Sequence, residues 1–108
     1  MQRGDLVSVA VQGDFGKPRP ALVIQSDWFV KHPTVTLLPL TSDLQSSPML
    51  RVTVRPSATN RLVGTSQVMI DKATTVRREK IGSVIGRLEA DRLIEIERCL
   101  AVFLGIAK

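Results

Sequence analysis

Arg19 stands between two prolines in Lys17-Pro18-Arg19-Pro20. Each proline fixes its own φ and biases the preceding residue toward extended geometry, so the arginine's backbone is held in place. A guanidinium held this way can meet two oxygens of a charge-rich phosphoryl transition state with its planar donors. It can equally cap a turn by bonding backbone carbonyls. Further on, Pro39-Leu40-Thr41-Ser42-Asp43 sets two hydroxyls where an apolar run ends. Thr41 and Ser42 can donate to a phosphoryl oxygen from a rigid strand end, or bond the local backbone, because Thr-Ser-Asp is also a turn signal. Asp14 and Asp71 are the carboxylates available for proton transfer, and a bound phosphate nearby would raise either toward useful basicity. Otherwise they cap loops or pair with cations. Trp28 and Phe29 either stack on bases or pack at a strand end.

Other chemistries lack their residues. His32 is the only histidine and Cys99 the only cysteine, so one chain offers no imidazole pair, no zinc ligand set and no internal disulfide. His32, between Lys31 and Pro33, reads as a solvated loop residue. Gly13-Asp14-Phe15-Gly16 lacks the further Gly or Gly-Lys-Ser/Thr of a nucleotide loop. No metal or cofactor is expected. The lone cysteine suits a reducing compartment. Met1 to Asp5 carries no apolar leader stretch, and the longest apolar run, Cys99 to Ala107, is too short to span a bilayer. The expected location is the cytoplasm, without membrane attachment.

The net charge of +5 is uneven. Residues 61–87 hold six basic and two acidic side chains, against six and four in 1–60 and three and four in 88–108. A basic surface in that stretch would attract a polyanion such as RNA or DNA by counterion release and steering. Charge alone leaves the chemistry open.

The elements that must position these residues are short strands followed by one helix, with no repeat or linker, in a single domain spanning 1–108. Leu6–Val11 alternates Val7, Val9 and Val11 against smaller residues, and Ala21–Ile24 and Thr34–Leu40 are rich in Val, Leu and Thr. Leu50–Val54, Gly64–Ile70, Ala73–Val76 and Ile81–Leu88 continue the series. Gly82 and Gly86 in the last run predict a bulge or a close backbone approach. From Ala90 to Leu104 the period changes, with Leu93, Ile96, Leu100 and Phe103 forming an apolar stripe, and Gly105 is placed to end the helix. The fold class is therefore mainly β with a C-terminal helix (α+β), as a small, partly open SH3-like barrel. The remaining surface suits a second copy.

In order along the chain, these pieces resemble the MazF/PemK toxins. Arg3-Gly4-Asp5-Leu6-Val7 is similar to the family's opening, and Asp14 through Arg19-Pro20-Ala21-Leu22-Val23-Ile24 to its Gly-rich loop and second strand. Pro39-Leu40-Thr41-Ser42 resembles its Pro-x-Thr-Ser signature. Ser66-Gln67-Val68-Met69-Ile70-Asp71-Lys72 and Ile85-Gly86-Arg87-Leu88 resemble later segments. The resemblance implies an SH3-like barrel of the MazF/PemK/CcdB type, forming a homodimer whose groove binds single-stranded RNA. It implies a sequence-selective, metal-independent endoribonuclease that works by ribose 2′-oxygen attack, leaving a 2′,3′-cyclic phosphate and a 5′-hydroxyl. Arg19 would stabilise the phosphorane and protonate the leaving oxygen, Thr41 would bond the phosphate, and Asp14 matches the loop acid. Lys17, Ser42, Asp71 and Lys72 would contact RNA. Met69 stands where one branch carries an arginine and Lys72 where glutamine is usual, which turns the expectation toward Arg19 and Thr41. The implied partners are a small cognate antitoxin with an acidic disordered tail and, only through that complex, operator DNA. The alternative is a CcdB-like, non-enzymatic gyrase poison, because Phe103-Leu104-Gly105-Ile106 is similar to the tail of those toxins.

Overall fold

A computed structural model describes residues 1–10 and 17–108, so the expected strand end at Val11 and the loop acid Asp14 lie outside the described residues. Seven strands form in the order read from the sequence: β1 (Asp5–Ala10), β2 (Pro18–Val23), β3 (Thr34–Thr41), β4 (Arg51–Val54), β5 (Ser66–Met69), β6 (Thr74–Arg77) and β7 (Ile81–Arg87). The helix α1 follows at Ala90–Phe103. Three single 3-10 turns join them, at Asp27–Phe29, Ile70–Lys72 and Arg78–Lys80.

All pairings are antiparallel, in the order β4-β5-β3-β2-β1-β7, with β6 also on β3. Both β6 and β5 share one edge of β3. β6 holds Thr34–Leu37, and β5 takes over at Leu40 and Thr41. The 3-10 turn Arg78–Lys80 carries the chain from β6 to β7, which pairs with β1. The sheet thus curls into a partly open barrel, as expected.

Strand alternation sorts the apolar residues into two cores. Val7, Val9, Ala21, Val23, Val35 and Leu37 point to one face, where Val76 and Ile81 close over them. The opposite face presents Leu6, Leu22, Leu38 and Leu40 to Val52, Val54, Val68, Ile70 and α1. Burying each such side chain contributes roughly 1.5–3 kcal/mol relative to leaving it exposed. Ile96 is wholly buried in this second core, with Leu93 and Leu100 packed beside it. Phe103 does not complete the stripe, being 49% exposed.

The two glycines of β7 act as expected. β1 and β7 slip register between Leu6 and Val9, and a Cβ at Gly86 would collide with the backbone of Thr59 and Asn60. The helix ends with Gly105 at φ +77, where the amide of Ile106 donates to Ala101 O and that of Gly105 to Val102 O. These two bonds satisfy carbonyls the last turn would leave open. Leu104-Gly105-Ile106 is thereby accounted for as a helix stop.

Candidate active site

Three prolines open the sheet at one end. β1 pairs with β2 as far as Val9 opposite Arg19 and Ala10 opposite Pro18, whereas the β2–β3 ladder stops at Ala21 opposite Pro39. Pro18, Pro20 and Pro39 have no amide proton to extend it. Continued by two residues, the register sets Arg19 across from Thr41, and opposed residues in an antiparallel pair share one face. The two groups singled out from separate motifs line the same opening.

Around this opening lies a cleft of about 620 Å3, lined by Lys17, Arg19, Thr41, Ser42, Arg61 and Val63, with Leu40, Leu62 and Ile85 in its walls. Volume does not single it out, since a groove lined by Arg55, Glu89, Asp91 and Arg92 measures about 610 Å3. That groove balances acid with base. The cleft gathers three cations and two hydroxyls from the end of β3 without a carboxylate among its described lining residues, which suits a phosphate-rich ligand.

Thr41 shows that the two readings of its hydroxyl are compatible. Its Oγ1 accepts from the Asp43 amide at 3.1 Å, fixing the turn, and its own proton can still be donated outward. The loop that follows is clamped by Gln67. The Gln67 Oε1 accepts from the Gln45 amide at 2.9 Å, and its Nε2 donates to Gln45 O at 3.0 Å. Gln67 is 6% exposed, so this clamp is part of the scaffold beneath Ser42.

The remaining site expectations fall elsewhere. Asp71 sits on the 3-10 turn after β5, paired with Arg51 at 3.0 Å and with Lys72 at 3.9 Å. Neither Asp71 nor Lys72 lines the cleft. Asp14 lies outside the described residues. Trp28 is 92% exposed and Phe29 58%, so Trp28 is not packed within the chain, while Phe29 lines a small cavity with Val23, Val30 and Val35. Both aromatic residues sit past the far end of β2 from Arg19. His32 is exposed, as read.

The basic stretch 61–87 also divides. Arg87 pairs with Asp5 at 2.9 Å, Arg77 with Glu79 at 3.7 Å and Lys72 with Asp71. Arg78 donates to the carbonyls of His32 and Phe29. From this stretch only Arg61 brings its charge to the cleft. Sequence reasoning missed it because nothing in Thr59-Asn60-Arg61-Leu62 marks a ligand.

Behind Arg61 lies a buried polar knot. Asn60 is wholly buried. Its Oδ1 accepts from the amides of Ser57 and Leu62, each at 3.0 Å. Its Nδ2 donates to Arg55 O at 2.9 Å and to the Glu89 carboxylate at 3.1 Å. Ser57 Oγ donates to Glu89 at 2.7 Å. Burial alone would raise the Glu89 pKa, but hydrogen bonds from Ser57, its own backbone and Asn60, with the charge of Arg92, outweigh it and hold the carboxyl below its ordinary value. Cys99 moves the other way, its thiol pushed up by burial and then by Glu95, so it is poorly suited to act as a nucleophile.

The family model of the PemK-like, MazF-like toxins of type II toxin–antitoxin systems matches residues 2–104. The chain belongs to this toxin family. A protein of Mycolicibacterium smegmatis named "Probable endoribonuclease MazF" is 42% identical over 108 residues, covering 99% of each chain. The solved structure of Mycobacterium tuberculosis toxin MazF-mt6 superposes with a TM-score of 0.82 at 22% identity, covering 96% of this chain and 99% of that one. A mycobacterial endoribonuclease solved in complex with its cognate antitoxin gives 0.80 at 21% identity, covering 100% of this chain and 98% of that one. These two structures establish the fold. The family match runs through β1 to α1 and takes in every motif on which the resemblance rests, leaving the gyrase-poison alternative with only the helix stop.

Proposed function

We propose that the chain, acting as a single toxin domain over residues 1–108, is a sequence-selective endoribonuclease that cleaves single-stranded mRNA and so arrests translation and growth. The observation that carries this reading is the cleft, where Arg19 and Thr41 come together at the opened end of a toxin-family fold. RNA lies along it, with Lys17 and Ser42 on its backbone. The ribose 2′-oxygen attacks the adjacent phosphorus and gives up its proton to a base. The bond to the 5′-oxygen breaks, and that oxygen is protonated as it leaves. The products are a 2′,3′-cyclic phosphate and a 5′-hydroxyl.

Arg19 stabilises the charge that builds on the phosphoryl oxygens and sits where it can supply the leaving proton. Thr41 donates to one of the same oxygens. Asp14, three residues before Lys17 in the sequence, is the acid matched by the family resemblance, and Asp71 and Lys72, ion-paired on the turn after β5, stand outside the cleft lining. The chemistry is supplied by side chains and by the RNA's own hydroxyl, without a cofactor or metal.

The active form is a cytoplasmic homodimer whose subunits share the groove. Ile94 and Val102 on α1, with Leu104 and Ile106 just beyond it, expose apolar surface of a kind that subunit contacts cover. Among the described residues no helix is long and apolar enough to cross a membrane. A small cognate antitoxin with an acidic disordered tail occludes the cationic cleft, and operator DNA is bound only through that complex. Such a tail loses entropy on ordering yet covers a large surface.

The test is to incubate the purified chain with a long RNA in EDTA and map the ends. Discrete fragments ending in cyclic phosphate are expected. Cleavage that stops in EDTA and returns with magnesium would overturn the mechanism, and intact RNA under all conditions would overturn the function.

A further inference from the structure

Arg61 has a φ of +57, in the left-handed region where a side chain crowds the following carbonyl and glycine is the unstrained choice. The turn around it is built to hold this geometry. Asn60 fixes the amides on both sides through its Oδ1, and the Arg61 amide itself donates to Ser57 O at 2.9 Å. Leu62 is driven into the core, 8% exposed. Arg61 is left standing at the rim of the cleft.

The turn serves the fold, but glycine would serve it without strain, and the arginine side chain has no structural use. Among the described residues the Arg61 guanidinium meets no carboxylate and caps no carbonyl, and the residue is exposed. A strained residue whose side chain gives nothing back to the fold is a mark of a functional site. Here the feature it secures is a third cation in a cleft that lacks a carboxylate among its described lining residues, delivered by a chain segment separate from those of Arg19 and Thr41.

We propose that Arg61 is a substrate-binding residue that holds an RNA phosphate next to the scissile one, fixing the register of the strand over Arg19 and Thr41. The proposal rests on the RNA-cleavage reading above. Because Arg61 binds a phosphate that does not react, its contact is equal in the ground and transition states. It therefore acts on KM and leaves kcat in place.

Arg61→Gly tests this directly, since it removes the cation and the backbone strain together. With an unstructured RNA carrying one mapped cleavage site, the variant should melt at or above the wild-type temperature. Its KM should rise by roughly tenfold, as losing one charge-assisted contact does, with kcat kept within about twofold. The slope of log KM against log salt should fall by about 0.7, the share of one phosphate contact on a single strand. Arg61→Lys should keep most of that slope. An Arg61→Gly protein with wild-type KM and salt dependence would overturn the proposal, as would a loss of kcat at unchanged KM, which would place Arg61 on the reacting phosphate. Wild-type protein that cuts no RNA would instead overturn the function itself.

Discussion

Arg19 and Arg51 are both strand arginines, but their surroundings differ. Arg19 is exposed at the open end of β2, beside a cleft whose described lining holds Lys17 and Arg61 and no acid. Arg51 starts β4 with a side chain only 12% exposed, bonded to Asp71 at 3.0 Å, and its Nε is buried without a partner. One region gathers positive charge around a cleft, while the other uses it to hold the 3-10 turn after β5 against β4. A charged residue's place in a family motif therefore does not tell which use it serves. The surroundings do.

The sharpest way to break this contrast is at Arg19. Arg19→Ala should lower the cleavage rate by roughly a hundredfold or more, the usual cost of one lost transition-state donor, while the melting temperature stays close to wild type. A well-folded Arg19→Ala protein that cleaves at the wild-type rate would remove the cleft's claim to the chemistry.

The same contrast marks what the sequence could reveal. Strand alternation and the switch to a helical period placed all seven strands and α1, because burial on one face is written directly into residue type. The motifs around Arg19 and Thr41 stand out because proline and hydroxyl signals are local, and the fold brings both to one cleft. Asp71 was not, since its partner Arg51 is twenty residues upstream and arrives only through the register of Arg51 opposite Met69. Arg61 was hidden for another reason. Left-handed backbone at an arginine is imposed by the Asn60 network, with Glu89 brought in from the start of α1, and no residue type announces it. The excess of cations in 61–87 pointed to the right polarity but the wrong extent, because ion pairs and carbonyl bonds absorb most of it.

Asp71 supplies the next test. Asp71→Ala should leave the Arg51 guanidinium partly buried and short of its partner, costing roughly 2 kcal/mol of stability. In a domain of this size that is a fall of several degrees in melting temperature. Cleavage per folded molecule should hardly change. The reverse outcome, stability kept and cleavage lost, would return Asp71 to the RNA site. Thr41→Ala should follow with a smaller effect, about a tenfold loss of rate, because water can replace a hydroxyl donor better than it replaces a guanidinium. A loss as deep as that of Arg19→Ala would make the hydroxyl an equal partner in the chemistry.

The smallest effect concerns the carboxylate beneath the Arg61 turn. Hydrogen bonds from Ser57 and Asn60 hold the Glu89 pKa below its ordinary value of 4.5 in the folded chain. In the pH range between the folded and unfolded pKa values the unfolded state binds more protons, so stability rises with pH there. The contribution is complete above about 4.5 and disappears as acid protonates the folded carboxyl. Glu89→Gln has no such titration. Thermal melts of both proteins at neutral pH and through the acid range should therefore show wild type losing the more stability on acidification, with the gap between them narrowing as Glu89 is protonated. Because the same carboxylate braces Asn60, KM should rise modestly in Glu89→Gln while Arg61 is present and stay level on an Arg61→Gly background. A gap that does not narrow with acid would show that Glu89 contributes through its shape and packing, and that its charge is not what braces the turn.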